Sequence, residues 1–222
     1  MKKLILAAVM LLLMATGISG VAAQDDEFSL ENFEGLESGY ARYYSSRGVS
    51  MTAAPSSASP ATASAEESTP EGEVDATVSV EIVTFDSEEN AKAFLDGYRA
   101  ESDRQLSEAP EGEMEVADLE DIENDGFLAK VMPGAEGDST AIFVFQDGDT
   151  IWSINVRAAD IDSATTLGNE YLNFVLDQET EEDEVTFNAD GTSTGGVFDR
   201  MPGEGDEIPG GLTVVEDYSF SE

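Results

Sequence analysis

The chain contains no histidine and no cysteine, and these two absences exclude much of enzyme chemistry. Without imidazole or thiol groups it cannot form a serine or cysteine catalytic triad, or an imidazole or thiolate metal site. The lack of cysteine also excludes disulfides and the thiol-linked lipid anchor of bacterial lipoproteins. An exported protein of this composition must therefore take its stability from its apolar core.

Basic residues are scarce as well. The 222 residues include 10 lysines and arginines against 48 aspartates and glutamates, a net charge of −38. This charge disfavours nucleic acids and anionic membranes as partners, because their phosphates repel carboxylates. From Asp25 onward the acids are dispersed and not gathered in one tail, which resembles the surfaces of halophilic proteins, where salt screens the self-repulsion. An ordinary acidic secreted protein is the alternative interpretation.

The longest apolar run stands at the amino terminus, where "LILAAVMLLLMA" follows Lys2 and Lys3. A charged start, a short apolar segment and small residues at the exit are typical of a secretory signal peptide. A retained anchor is the alternative, but the run is shorter than the roughly 20 residues that a bilayer crossing needs. We expect cleavage of residues 1–23 after Ala23 and a secreted protein, extracellular or periplasmic, with no stable membrane anchor. Loss of the two lysines would change the charge from −38 to −40.

Two segments lie between the signal peptide and the region with the clearest periodicity. Residues 24–48 contain a predicted short helix from about Leu30 to Ser45, because aromatic residues recur there at three- and four-residue spacings. Its tyrosines suit a packing face, with a membrane interface or a sugar as alternatives. Residues 49–74 are rich in serine, alanine, threonine and proline and lack aromatic residues, which predicts a disordered linker.

Residues 75–180 have the patterns of an α+β core domain. The stretch "ATVSVEIVTF" alternates, with Val78, Val80 and Ile82 on one face and Ser79 and Glu81 on the other, which predicts a strand. Further predicted elements are a helix that follows Asp86 and ends before Pro110, strands at about 115–122, 127–132, 140–146 and 150–157, and a helix from about Ser163 to Asp177. This order, strand-helix-strands-helix, predicts an antiparallel meandering sheet packed with two helices, which cover one or both of its faces.

The motif Asp147-Gly148-Asp149 separates two of these strands and raises the question of a calcium loop. Such a loop needs acids at alternate positions over a dozen residues and a flanking helix, and neither is present. Asp-Gly tolerates the positive backbone angles of a tight hairpin. The motif therefore predicts a turn.

Residues 181–222 form a predicted acidic, glycine- and proline-rich arm. Its last segment alternates in polarity from Leu212 to Phe220 and is strand-like. We expect an extended arm that is partly laid on the core and that pairs with a sheet edge of its own molecule or a neighbour's. If the two helices cover one sheet face, the other is left to Tyr40–Tyr44, to this arm or to a partner.

No residue of the sequence is predicted to be catalytic, cofactor-binding or metal-binding. Lys92 and Lys130 read as surface charges and not as partners of a nucleophilic serine. No glycine-rich loop opens a helix after a strand, so a nucleotide cofactor is not expected. Two acidic clusters read as solvated surfaces, with weak collection of hard cations as the alternative: Asp118, Glu120, Asp121, Glu123 and Asp125, and Glu179, Glu181, Glu182, Asp183 and Glu184.

The stretches "VSVEIVTFDSEENAKAFLDGY", "GFLAKVM" and "STAIFVFQDGDTIWSINVRA" resemble the body of secreted bacterial sensor-like or lipoprotein domains. These domains share the PsbP-like α/β sandwich of photosystem extrinsic proteins. The stretch "MPGEGDEIPGGLTVVED" is similar to connectors of exported bacterial proteins. The resemblance covers about half of the chain and implies a binding or assembly role, without supplying any functional residue.

These observations predict a secreted, acidic, salt-adapted binding or interaction module that is not an enzyme. Its ligand is an unidentified protein or small molecule. Two alternatives remain: a glycosidase-like hydrolase that uses carboxylates alone, and a structural envelope protein.

Overall fold

The computed structural model describes residues 34–46, 76–119, 122–132, 137–178, 185–188, 192–203 and 205–221. The predicted signal peptide, residues 1–23, and all of the predicted linker, residues 49–74, lie outside these ranges. The elements in chain order are β1 (Leu36–Ser45), β2 (Ala76–Phe85), α1 (Glu88–Glu108), β3 (Met114–Asp118), β4 (Gly126–Val131), β5 (Ser139–Asp147), β6 (Thr150–Ala158), α2 (Ile161–Asp177), β7 (Thr186–Phe187), β8 (Ser193–Thr194), 3₁₀ turns at Gly196–Arg200 and Pro209–Gly211, and β9 (Thr213–Ser221).

Seven of the strands form one antiparallel sheet in the order β3-β4-β5-β6-β2-β1-β9, and β7 pairs with β8 in a small separate ribbon. The predicted α+β fold, an antiparallel sheet with two helices, is confirmed. Strands β3 to β6 form a meander of consecutive neighbours, while β2 inserts beside β6 and carries β1 and then β9 on its far side. The sheet edges are therefore β3 and β9.

The two helices lie on opposite faces of the sheet. Along β5, Phe143 and Phe145 belong to the core under α2, whereas Ile142 and Val144 belong to the core under α1. This alternation is the period of a strand buried on both sides. Of the two arrangements left open by the sequence, helices on one face or on both, the structure has the second, so the case in which one face is left to an arm or a partner does not apply.

Each of the two helices begins at a polar side chain that caps its first turn. The side chain of Asp160 accepts a hydrogen bond from the Ser163 amide at 2.8 Å and caps α2. The corresponding cap of α1 is Ser87, one residue after the predicted Asp86. Each cap satisfies an amide that the first helical turn leaves without an internal partner.

The predicted helix from Leu30 to Ser45 is wrong in its described part, because residues 36–45 form strand β1. Tyr40 and Tyr44 are four residues apart, so they share a face in a strand as well as in a helix. Leu36 lies before the register shift at Leu36/Ser38 and packs against the core under α1 instead. Arg42, midway between the two tyrosines, is 2% exposed on their face, which fits only the two-residue period. Pairing with β2 and β9 decides the conformation.

The carboxy-terminal arm is part of the sheet. Strand β9 pairs with β1 of its own molecule, and Phe198, Met201 and Leu212 are buried in the core under α2. The prediction of a strand-like arm laid on the core is confirmed. Residues 75–180 are therefore only part of the folded unit, since β1 and β9 lie outside that range and complete the sheet.

Candidate functional site

The Asp147-Gly148-Asp149 motif is the turn of the β5–β6 hairpin. Asp147 pairs with Thr150 across the turn, and Gly148 has a φ of 62°, which a residue with a side chain rarely adopts. The Asp147 carboxylate accepts a hydrogen bond from Arg200 at 2.7 Å. The prediction of a turn is confirmed.

The two acidic clusters are only partly described. In the first, Asp118 pairs with Arg99 at 2.7 Å and Asp125 pairs with Lys92 at 3.3 Å, while Glu120 and Asp121 lie outside the described residues. The second cluster, residues 179–184, also lies outside them. Within the described ranges no group of three acids is arranged to hold a metal ion.

Ion pairs engage all seven basic residues in the described part of the chain. These are Arg42 with Asp217, Lys92 with Asp96 and Asp125, Arg99 with Asp103 and Asp118, Arg104 with Glu101 and Glu108, Lys130 with Glu115, Arg157 with Asp138, and Arg200 with Asp147. The remaining described carboxylates far outnumber these pairs. A partner therefore meets a surface whose unpaired charges are negative.

Two of these arginines fasten the carboxy-terminal segment to the sheet. Arg42 on β1 donates to Asp217 of β9 at 2.8 Å and to the carbonyl oxygens of Ser193, Phe198 and Met201, and it stacks 4.8 Å from the centre of the Phe198 ring. A buried guanidinium with this many acceptors fixes a geometry that a lysine could not.

Arg200 belongs to the segment itself and contacts the β5–β6 hairpin. It stacks 4.6 Å from the centre of the Trp152 ring while it donates to Asp147. Both arginines therefore hold the carboxy-terminal segment on the sheet.

A buried carboxyl group lies on the α1 face of the sheet. Glu81 of β2 is 3% exposed, and one of its carboxyl oxygens accepts a hydrogen bond from the Ser79 hydroxyl at 3.1 Å. The other oxygen, Oε2, has no partner among the described residues, and neither has the Ser153 hydroxyl, which belongs to the residue paired with Glu81 on β6. Burial raises the pKa of Glu81 to about 7, and the hydrogen bond from Ser79 offsets part of the shift.

The neighbours of Glu81 extend this cluster across β1 to β9. Burial, followed by the charges of Glu81, Tyr218 and Glu216, raises the pKa of Tyr43. The Tyr43 and Tyr218 rings meet edge to face at 5.6 Å, and the Glu216 Oε2 atom is also buried without a partner. We call Glu81, Tyr43, Glu216 and Tyr218 the carboxyl–tyrosine cluster.

No pattern in the sequence indicates this cluster. Ser79 and Glu81 alternate with valines, so the pattern predicts a solvated face, whereas the structure buries both residues. One buried acid among 48 acidic residues carries no local signature. Only the strand order, which places β1 and β9 beside β2, brings the cluster together.

The outer edge of β9 is the second feature of functional interest. Strand β9 has nine residues, and no described strand pairs with its outer side. Among the described residues the exposed large hydrophobic side chains are Phe187 and Tyr218, which are 54% and 39% exposed. Tyr218 stands on the α1 face of β9, and Phe187 packs on Phe198 over the α2 face of β1. The two aromatic residues lie on opposite faces of the same end of the sheet.

The opposite edge of the sheet, formed by β3, is shorter and more charged. Strand β3 has only five residues, and Glu115 and Asp118 are engaged in ion pairs there with Lys130 and Arg99. Short, charged strands are the usual protection of a sheet edge against pairing. The edge formed by β9 is longer and carries exposed aromatic surface nearby.

Comparison of the chain with protein-family models, curated proteins and solved structures found no match. The resemblance to the PsbP-like sandwich therefore stays a prediction. None of the helices in the described ranges combines the length and the apolar character that a bilayer crossing requires.

Proposed function

We propose that this chain is an exported, non-catalytic binding module whose interaction surface is the outer edge of β9. The observation that carries the proposal is a nine-residue edge strand with exposed aromatic side chains near it on both faces. An extended segment of a partner could add to this edge as an eighth strand. Backbone hydrogen bonds would supply affinity, and side-chain contacts with Tyr218 would supply selectivity.

The partner segment that best fits this edge is positively charged. All seven described basic residues are already ion-paired, and the chain carries 48 acids against 10 bases. Opposite charge accelerates encounter and selects among partners. A second copy of the chain, with its own charge of −38, would be repelled at low salt.

Two features favour binding over the alternative of a carboxylate-only hydrolase. A glycosidase needs two carboxyl groups on either side of a bound sugar. Glu81 and Glu216 are on strands separated by β1, and Glu81 is 3% exposed, so a sugar would not reach it in this conformation. No feature of the described residues specifically favours the alternative of a structural envelope protein.

The test uses the exported protein and two synthetic ten-residue peptides. One alternates lysine with valine, and the other alternates glutamate with valine. We expect the lysine peptide to bind and the glutamate peptide not to bind, with an affinity that falls as salt rises. Calorimetric titration of each peptide at low and at high salt measures the affinity and its dependence on salt.

A matched pair of variants locates the contact. Tyr218→Ser removes the exposed ring beside the edge and is expected to weaken binding of the lysine peptide at least threefold. Glu111→Ser changes an exposed residue near the opposite edge and should leave the affinity within a factor of two. Equal affinities of both variants, or no binding of either peptide, would refute the proposed surface.

A further inference from the structure

The carboxyl–tyrosine cluster suggests a property that goes beyond partner binding. Glu81 lies near the middle of β2, where β6 pairs with it on one side and β1 on the other. Its unpartnered Oε2 atom is shielded from water, and a buried ionised carboxylate without a compensating group is strongly disfavoured. The carboxyl group must therefore either hold a proton or reach water.

The basic residues of the elements next to Glu81 are ion-paired with other acids: Arg157 of β6 with Asp138, and Lys92, Arg99 and Arg104 of α1 with acids of their own helix and with Asp118 and Asp125. On β6 the residue paired with Glu81 is Ser153, and on β2 Ser79 donates the single hydrogen bond. Burial raises the pKa of Tyr98 on α1 and of Tyr43 on β1, and the charge of Glu81 is the second cause of both shifts. Strand β9 contributes Glu216 and Tyr218, which are acidic groups.

Arg42, the basic residue of β1, does not serve this purpose. It alternates with Tyr43 along the strand and engages Asp217 and Phe198 on the opposite face of the sheet. It is absent from the groups that shift the pKa of Glu81. Every titratable group that faces Glu81 is thus neutral or negative.

Water can reach Glu81 most readily from the side of β1 and β9. Helix α1 packs against β2, β3, β4, β5 and β6, so it protects the central part of this face. Strand β9 is at the sheet edge, and β1 lies next to it. Loosening these two strands would hydrate the carboxylate without breaking the core between α1 and β4–β6.

We propose that Glu81 is a proton-operated latch: with its proton bound it lets β1 and β9 close on the sheet, and without the proton it loosens them. The direction follows from the two states. The group binds its proton more tightly in the folded protein than in the unfolded chain, because its folded pKa is about 7 against the ordinary value of 4.5. The stabilisation is therefore complete below pH 4.5 and is lost as the pH rises through 7.

Amide hydrogen exchange tests the latch, with rates corrected for their intrinsic pH dependence and with molar salt held constant. Linkage predicts that protection of β1 and β9 amides falls about tenfold between pH 6 and pH 8. Glu81→Gln keeps the shape of the side chain and removes the charge, so the fall should vanish. Glu115→Gln, at an exposed position of β3, should keep it.

A second measurement covers the case in which the Gln variant does not fold. The carboxyl carbon of Glu81 in the unmodified protein, observed by ¹³C NMR, should titrate near pH 7. A titration midpoint near 4.5, or an unchanged tenfold fall in Glu81→Gln, would overturn the latch. Neither result depends on a binding partner, so the proposed function could fail while the latch stands, or the reverse.

Discussion

The role of a buried charged residue in this protein depends on the neighbours that the sheet places beside it. Glu81 and Arg42 are both almost fully buried in neighbouring strands, yet they face opposite sides of the sheet and cannot pair. Arg42 is satisfied by Asp217 and several carbonyl oxygens, whereas Glu81 receives one hydroxyl. One residue therefore anchors the fold, and the other makes it sensitive to pH.

The energetic consequence of Glu81 can be measured directly. A pKa of about 7 in place of 4.5 corresponds to about 3 kcal/mol of stability that is present at acidic pH and lost at alkaline pH. Glu81→Gln is therefore expected to raise the free energy of unfolding by about that amount at pH 8.5 and by much less at pH 5. Urea unfolding at both values checks this, and an equal effect at both would contradict it.

Gly168 illustrates a second constraint at the residue scale. A Cβ atom there would overlap ring atoms of Phe143, since α2 packs closely on β5. Alanine usually stabilises a helix relative to glycine by about 1 kcal/mol. Here we expect Gly168→Ala to destabilise the protein by about 1–3 kcal/mol through overpacking. Asn173→Ala, on the exposed side of α2, should be neutral or slightly stabilising in the same thermal melts.

At the scale of elements, a strand or a helix is predictable where its apolar residues fit only one of the two periods, two residues for a strand or about 3.6 for a helix. The patterns of β2, β5, β6, α1 and α2 allow one interpretation each, and the structure agrees within about two residues. The helix prediction for β1 is wrong because the spacing of Tyr40 and Tyr44 satisfies both periods. The cluster around Glu81 was unpredictable for a different reason, since it depends on strands far apart in sequence becoming neighbours.

The carboxy-terminal segment is expected to contribute strongly to the stability of the fold. Phe198, Met201 and Leu212 complete the core under α2, and removal of residues 185–222 would uncover Tyr44, Trp152 and Tyr171 there. We expect the truncated protein to bind a hydrophobic dye and to self-associate, with a melting temperature well below that of the full chain. A truncated protein that stays monomeric and does not bind dye would show that the segment covers nothing.

At the scale of the whole molecule, the net negative charge is the main term that makes stability depend on salt. A net charge of −38 opposes compaction, and screening by salt relieves this opposition. We expect the melting temperature to rise by on the order of 10 °C between low and molar salt, equivalent to about 3 kcal/mol in a chain of this size. Sodium and potassium chloride should act alike. An effect of micromolar calcium that sodium does not reproduce would instead indicate specific metal sites.

The central claim is that β9, and not the rest of this acidic surface, receives the partner. Its most direct test is a residue-resolved map of backbone amide shifts in the labelled protein as the lysine peptide is added. We predict shifts concentrated in residues 213–221 and in the adjoining β1, with the opposite edge at residues 114–118 unaffected. Shifts spread over the acidic surface, or equal at both edges, would contradict the claim.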